Sequence, residues 1–174
     1  DALIYYVKHL SKFGDIILYM DSNCPASELA KIQKYCVFTS ATRHGEYDFG
    51  SYKRAYNWAV KNLNISDYDF LYLVNDSVYG PLYNLAPYFK QMESGDCDAF
   101  GIVKNPHQHH PHIQSWFVGM RRIVFFTTWF DTFMNDITKL SSKGAITRKY
   151  EHGLSKLIGD HGHKWCCLYT VRGR

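Results

Sequence analysis

The stretch Tyr68-Asp69-Phe70-Leu71-Tyr72-Leu73-Val74-Asn75-Asp76-Ser77-Val78-Tyr79-Gly80-Pro81-Leu82 decides the fold. The apolar run from Phe70 to Val74 is too short for a helix. Its composition suits a strand covered on both faces. The run stops abruptly at Asn75-Asp76-Ser77, although Gly80-Pro81 already supplies a turn. Strands of this kind belong to α/β sheets, where ligands sit beyond the carboxyl ends of the strands. An amide, a carboxylate and a hydroxyl at such a tip are candidates for ligand contact. The structural alternative is a turn or a helix cap, which Asp, Asn and Ser also favour.

The flanking pattern alternates helix and strand. Upstream, Leu3, Val7 and Leu10 recur on one face of a first helix, capped by Asp1 and ended by Gly14. A strand over 15–20 ends in a second polar triplet, Asp21-Ser22-Asn23. Ser27 is expected to cap a short helix, and 35–38 reads as a strand. A polar loop over 39–49 leads to a helix opened by Ser51, with Tyr52, Ala55, Tyr56, Ala59, Val60 and Leu63 at helical spacing. Downstream, 83–93 reads as helix and 98–103 as strand. The histidine-rich loop that follows leads to a strand over 115–120. An apolar helix is expected over 124–137, a polar loop over 138–148, a helix over 149–159 and a strand over 164–169. This alternation predicts one α/β domain built around a mostly parallel sheet flanked by helices.

Composition narrows the function. The chain has 174 residues, one ordinary domain with room for a sizeable core. Hydrophobic residues make up 46%, yet no run approaches the roughly 18 needed to span a bilayer. There is no secretory signal pattern. The chain begins with Asp1 already in a helical pattern, so a fragment of a longer protein is expected. A net charge of +4 without a basic stripe argues against nucleic-acid binding. The five cysteines are irregularly spaced and contain no CxxC pair, which reads as free thiols in a reducing compartment. An aromatic content of 17% suits either a ring-filled core or a groove for sugar rings.

Asp76 is placed to hold a divalent cation such as Mg or Mn through oxygen, with Asn75 and Ser77 beside it. The loop from Arg43 runs into a helix N-terminus, where free N–H groups favour anions and where Lys53 and Arg54 add positive charge. The histidines at 107, 109, 110 and 112 lack helical i,i+4 spacing, so an exposed loop competes with a metal site there.

The segments YDFGSYKRAYNWA (47–59), YDFLYLVNDSVYGPL (68–82), CDAFGI (97–102), HIQSWFVGMRR (112–122) and KYEHGLSKLIGDHG (149–162) resemble, in order, the rhamnan synthesis F family. That family is similar to glycosyltransferases of the GT-A type, and the resemblance implies a Rossmann-like domain over 1–174 that lacks the usual first strand. It implies a transferase that takes a sugar, rhamnose by the family's name, from a nucleotide-sugar donor. The acceptor is then a growing glycan or lipid-linked glycan at the cytoplasmic face of a bacterial plasma membrane. Any membrane association would run through parts outside this chain. By residue, the resemblance assigns Asp48, Asn75, Asp76 and Ser77 to the donor, with Asp76 on the cation, and Lys53 joins the donor set through its charge beside the helix N-terminus. It gives the catalytic base of an inverting reaction to Glu151, and His112, Gln114 and Trp116 to the acceptor. The rival class is a non-catalytic module of degenerate transferase fold that binds glycan or scaffolds assembly.

Overall fold

The computed structural model describes residues 2–106 and 109–171. The Asp1 cap, His107, Gln108 and the tail from Arg172 lie outside the described residues. The elements are α1 (Ala2–Leu10), β1 (Ile17–Met20), α2 (Ala26–Gln33), β2 (Phe38–Ala41), α3 (Tyr47–Asn62), β3 (Phe70–Val74), α4 (Ala86–Glu93), β4 (Ala99–Asn105), β5 (His112–Ile113), β6 (Phe117–Arg121), α5 (Arg122–Phe125), α6 (Thr128–Asn135), α7 (Lys143–Ile146), α8 (His152–Asp160) and β7 (Trp165–Thr170). A π-helical turn, Thr147–Glu151, joins α7 to α8.

The strand of the opening stretch is β3, and its side chains alternate as a strand's must. Leu71 and Leu73 face a core built with α3, α6 and α8. Phe70, Tyr72 and Val74 face a second core built with α1 and α4. Helices therefore cover both faces, which is why the whole run is apolar. Burying one such leucine contributes about 1.5–3 kcal/mol, and Leu73 is the buried member of the strand.

The α/β class stands, but the sheet is mixed rather than mostly parallel. β3 pairs antiparallel with β6, β6 antiparallel with β4, and β4 antiparallel with β5. Among the described residues, only β4–β7 and the separate β1–β2 pair are parallel. The reason is β6, which runs back against β4 and lies between β3 and β4 instead of crossing over by a helix. Gly119 makes that insertion possible, because a Cβ there would lie 2.3 Å from the Phe100 ring and 2.6 Å from that of Tyr72.

Several boundaries moved. α2 starts after Pro25 with no side-chain cap, so Ser27 does not cap it. β2 lies three residues later than expected, at Phe38–Ala41. α3 opens at Tyr47, not Ser51, which brings the YDFG segment into its first turn. The helix expected over 124–137 breaks in two, and Thr127 caps the second piece by accepting from the Phe130 amide. Ser142 caps α7 inside the expected loop.

β1 and β3 belong to different sheets, and the described strands leave one edge of each unpaired. Between them lies a largely apolar slot of about 800 Å³, flanked by Leu3, Val7 and Leu10 of α1 and by Ala55 and Ala59 of α3.

Candidate functional site

The tip of β3, the first turn of α3, the turn between β5 and β6, and the segment from α7 to Glu151 meet around a cleft of about 250 Å³. Asp48, Asn75, Ser77, Gln114, Trp116 and Glu151 line it. Six of the residues expected to bind donor, acceptor or proton thus come together from four separate segments. Asp76 lies at the adjoining polar end of the slot, beside Asp21 and Arg43.

One wall is built on Asp48 and Asn75. Tyr47 enters α3 at φ 56, a left-handed conformation that costs a non-glycine residue about 1–2 kcal/mol. The result is Asp48 in the first helical turn, where a carboxylate complements the helix dipole. Asn75 Nδ2 donates to Asp48 Oδ2 at 2.9 Å, and Asn75 Oδ1 accepts from the Ser77 amide at 2.9 Å. So Asn75 is at once a turn former and a cleft residue. Burial raises the Asp48 pKa, and the charges of Asp76 and Glu151 raise it further. Lys143 and the Asn75 hydrogen bond offset this only in part. Asp76 and Ser77 are exposed.

The facing wall is built on Glu151. Its Oε2 accepts from the Ser115 amide at 2.9 Å and from the Ser115 hydroxyl. Its Oε1 lies 3.1 Å from His112 Nε2. His112 is 1% exposed. Its Nδ1 is 2.7 Å from the His110 carbonyl, which can only accept, so Nδ1 carries a proton and Nε2 faces Glu151. Nε2 sits off the line of an aligned hydrogen bond, so the contact is a close ion pair. Burial disfavours the Glu151 carboxylate, but His112 and Ser115 outweigh it and the pKa is lowered. Burial likewise opposes charge on His112, but Glu151 and the His110 carbonyl outweigh it and the pKa is raised. Gln114 Oε1 accepts from Trp116 Nε1 at 3.1 Å, which holds the indole at the cleft wall.

A family model described as rhamnan synthesis protein F matches residues 17–173. The chain belongs to that family. Membership places it in rhamnan polysaccharide synthesis. Comparison with curated proteins and with solved structures finds no match.

Among the residues expected to bind the donor, Lys53 stands apart from the cleft. Its Nζ donates to the carbonyls of Asn135 and Ile137 at 2.7 and 2.8 Å, tying α3 to the end of α6. Arg54 pairs with Glu46 at 2.5 Å and donates to the Gly50 carbonyl. The Asp21 carboxylate accepts from the amides of His44 and Gly45 at 2.8 and 3.0 Å, which holds the loop into α3. Lys143 and Ser115 line the cleft without having been singled out. For Lys143 the only sequence signal is the Ser-Lys-Gly-Ala cap pattern. Ser115 sits within HIQSWF, but nothing in a serine announces which carboxylate it will meet.

The Asp76 charge raises the cost of ionising Asp48 at the polar end. Such a set of oxygen ligands fits a hard divalent cation, which would relieve that repulsion. The His112, Glu151 and His152 ligand atoms lie within 4.8 Å of one another. Bonds of about 2.1 Å around one ion place ligand atoms about 3–4 Å apart, so these three side chains are spaced as a group that could hold a metal.

Proposed function

We propose that this member of the rhamnan synthesis protein F family is a GT-A-like glycosyltransferase. It moves a sugar, rhamnose on the family's name, from a nucleotide-sugar donor to a growing cell-surface glycan. The observation that supports the reading is a pair of carboxylate walls, Asp48 and Asn75 facing Glu151 across one cleft, with Asp76 at the adjoining end of the slot. The donor diphosphate lies toward Asp76 and Lys143, and the acceptor hydroxyl toward Glu151, Gln114 and Trp116. The acceptor oxygen attacks the anomeric carbon and its proton passes to Glu151. The bond from that carbon to the diphosphate breaks, and the electron pair leaves with the phosphate oxygen. Asp76 would hold a divalent cation, which would supply charge neutralisation for that leaving group. Glu151 is poised ionised, ready to accept a proton, and Ser115 with His112 fixes its orientation.

No helix among the described residues is long and apolar enough to cross a membrane. In this reading a lipid-linked acceptor is met at the cytoplasmic membrane surface.

A second reading has its own observation. Three contacts and a lowered pKa make Glu151 a weak base, as expected of a structural ion pair in a module that binds glycan without turning it over. Calorimetric titration with UDP, dTDP and GDP, with and without manganese, followed by transfer assays with the matching nucleotide sugar, separates the two. Saturable binding of one nucleotide, lost in Asp76→Ala, together with turnover lost in Glu151→Gln, supports the transferase. Glycan binding without nucleotide binding or turnover supports the module.

A further inference from the structure

His112 opens β5 and His152 opens α8. The Ile113 amide donates to the Ser155 hydroxyl at 3.0 Å, which pins the two elements together right beside both histidines. Adjacent residues of an α-helix point about 100° apart. The π-turn that ends at Glu151 widens the backbone there, a distortion frequent at functional sites. Glu151 and His152 then reach the same point. One ligand atom from each of the three side chains falls within a triangle no wider than 4.8 Å.

The His112 ring is set up as a ligand. Its Nδ1 donates to the His110 carbonyl at 2.7 Å. Metal-binding histidines ordinarily hold their second nitrogen in this way, which fixes tautomer and ring direction. Its Nε2 is buried and has no aligned hydrogen-bond partner. That atom is 3.1 Å from Glu151 Oε1, a separation that suits two ligands of one ion. The same carboxylate keeps Oε2 on Ser115, so one oxygen is anchored and the other is offered. His152 supplies the second imidazole, its ring centre 4.1 Å from that of His112.

We propose that His112 Nε2, Glu151 Oε1 and the His152 ring form a site for one zinc-like divalent transition ion. Two imidazoles and one carboxylate suit zinc better than magnesium or calcium, which prefer oxygen throughout. Three protein ligands leave the fourth tetrahedral position to water or a ligand. Without the ion a proton holds His112 to Glu151; the ion takes the proton's place. Once bound, it ties β5 to α8 at the wall of the cleft. The site is separate from the oxygen cluster at Asp76, and it does not depend on the chain being a transferase. In a transferase, an ion on Oε1 draws charge from the base and restrains transfer.

Titration of the metal-free protein with cobalt(II), then with zinc, tests the site. One equivalent of cobalt is expected to give the intense visible absorption of a four-coordinate ion, and zinc to displace it. Glu151→Gln and His152→Ala should each weaken zinc binding by at least about 100-fold, since loss of a supporting hydrogen bond alone costs about 10–100-fold. Both side chains are only half-buried, so circular dichroism should show both variants folded. The paired substitution His109→Ala and His110→Ala should keep the site, since His110 serves it through a backbone carbonyl. Asp76→Asn should keep the cobalt absorption too. No such absorption, or zinc affinity unchanged in Glu151→Gln and His152→Ala, would overturn the proposal. So would binding lost only in the His109 and His110 pair, which would hand the ion to the histidine-rich loop. Transfer assayed with the site loaded keeps the two proposals apart: undiminished turnover would count against Glu151 as the base and leave the metal site standing.

Discussion

The two walls of the cleft carry carboxylates in opposite states. Glu151 is held by a serine amide, a serine hydroxyl and a buried histidine, and its pKa is lowered. Asp48, across the cleft, has one amide partner and two like charges nearby, and its pKa is raised. One carboxylate is stabilised as an anion by its surroundings; the other is kept ionised at a cost. Opposed environments of this kind mark divided roles at functional sites. The Glu151 wall is finished without a ligand. The Asp48–Asp76 wall has charge left over for a cation or for a cationic group on a partner molecule.

The largest expected effect breaks the finished wall. Glu151→Gln should lower transfer by about 10²–10⁴-fold, the usual worth of a positioned acid or base. Nucleotide affinity should stay near that of the parent, since the proposed donor site is on the other wall. Steady-state kinetics beside calorimetry checks this. Full turnover in the variant would remove Glu151 from the chemistry and leave it a structural anchor for His112.

Next comes the unfinished wall. Asp76→Asn should weaken manganese-dependent nucleotide binding by about 2 kcal/mol, roughly thirtyfold, as one lost charge-assisted contact does. The melting temperature should hold, because Asp76 is exposed. If binding is equally strong with and without manganese in the parent protein, no cation acts at Asp76 and Lys143 becomes the main source of positive charge.

Smaller, but diagnostic in sign, is the pH dependence of stability. The Glu151 contribution is present above its unfolded value of 4.5 and is lost as pH falls through its lowered folded pKa. His112 contributes fully below 6.5 and loses its contribution as pH rises through its raised folded pKa. The pair is therefore at full strength between about pH 4.5 and 6.5. Asp48 behaves oppositely: its raised folded pKa makes stability fall as pH climbs above 3.8. Thermal melts from pH 3 upward should show Asp48→Asn more stable than the parent at neutral pH and equal to it in acid. Glu151→Gln should be less stable, most clearly within the window. Parallel shifts for the two variants would erase the contrast between the walls.

How much of this was legible in the sequence depended on which forces set it. β3 and its polar tip were readable, because five apolar residues ending in Asn75-Asp76-Ser77 are a local pattern. The start of α3 was misplaced by four residues, since Ser51 is a good cap by type while the actual start needs Tyr47 at positive φ. That conformation is imposed by the loop that Asp21 holds from a distant strand. Sheet direction was not legible either. Strand β6 reads the same whether it runs parallel or antiparallel, and the reversal between the end of β4 and the start of β5 becomes decisive only once their pairing is seen. In the site, the residue types at the cleft were found through motifs. Lys53 was not separable from a ligand-binding lysine, because its two carbonyl partners lie more than 80 positions away.

The smallest effect tests why Tyr47 keeps its unfavourable backbone. Tyr47 lines both the slot and the cleft, and 45% of its surface is exposed. Tyr47→Gly removes the left-handed cost of about 1–2 kcal/mol but adds unfolded-state entropy of about 0.5–1 kcal/mol. Stability should therefore change by no more than about 1 kcal/mol. If the conformation exists only to turn the chain into α3, glycine should leave nucleotide affinity and transfer intact. If the ring is a surface for the donor, affinity should fall while the melting temperature holds or rises, and Tyr47→Phe should restore it. The second outcome would give the Asp48 wall an aromatic component that its hydrogen bonds do not reveal. It would also explain why a strained residue sits where the two cavities join.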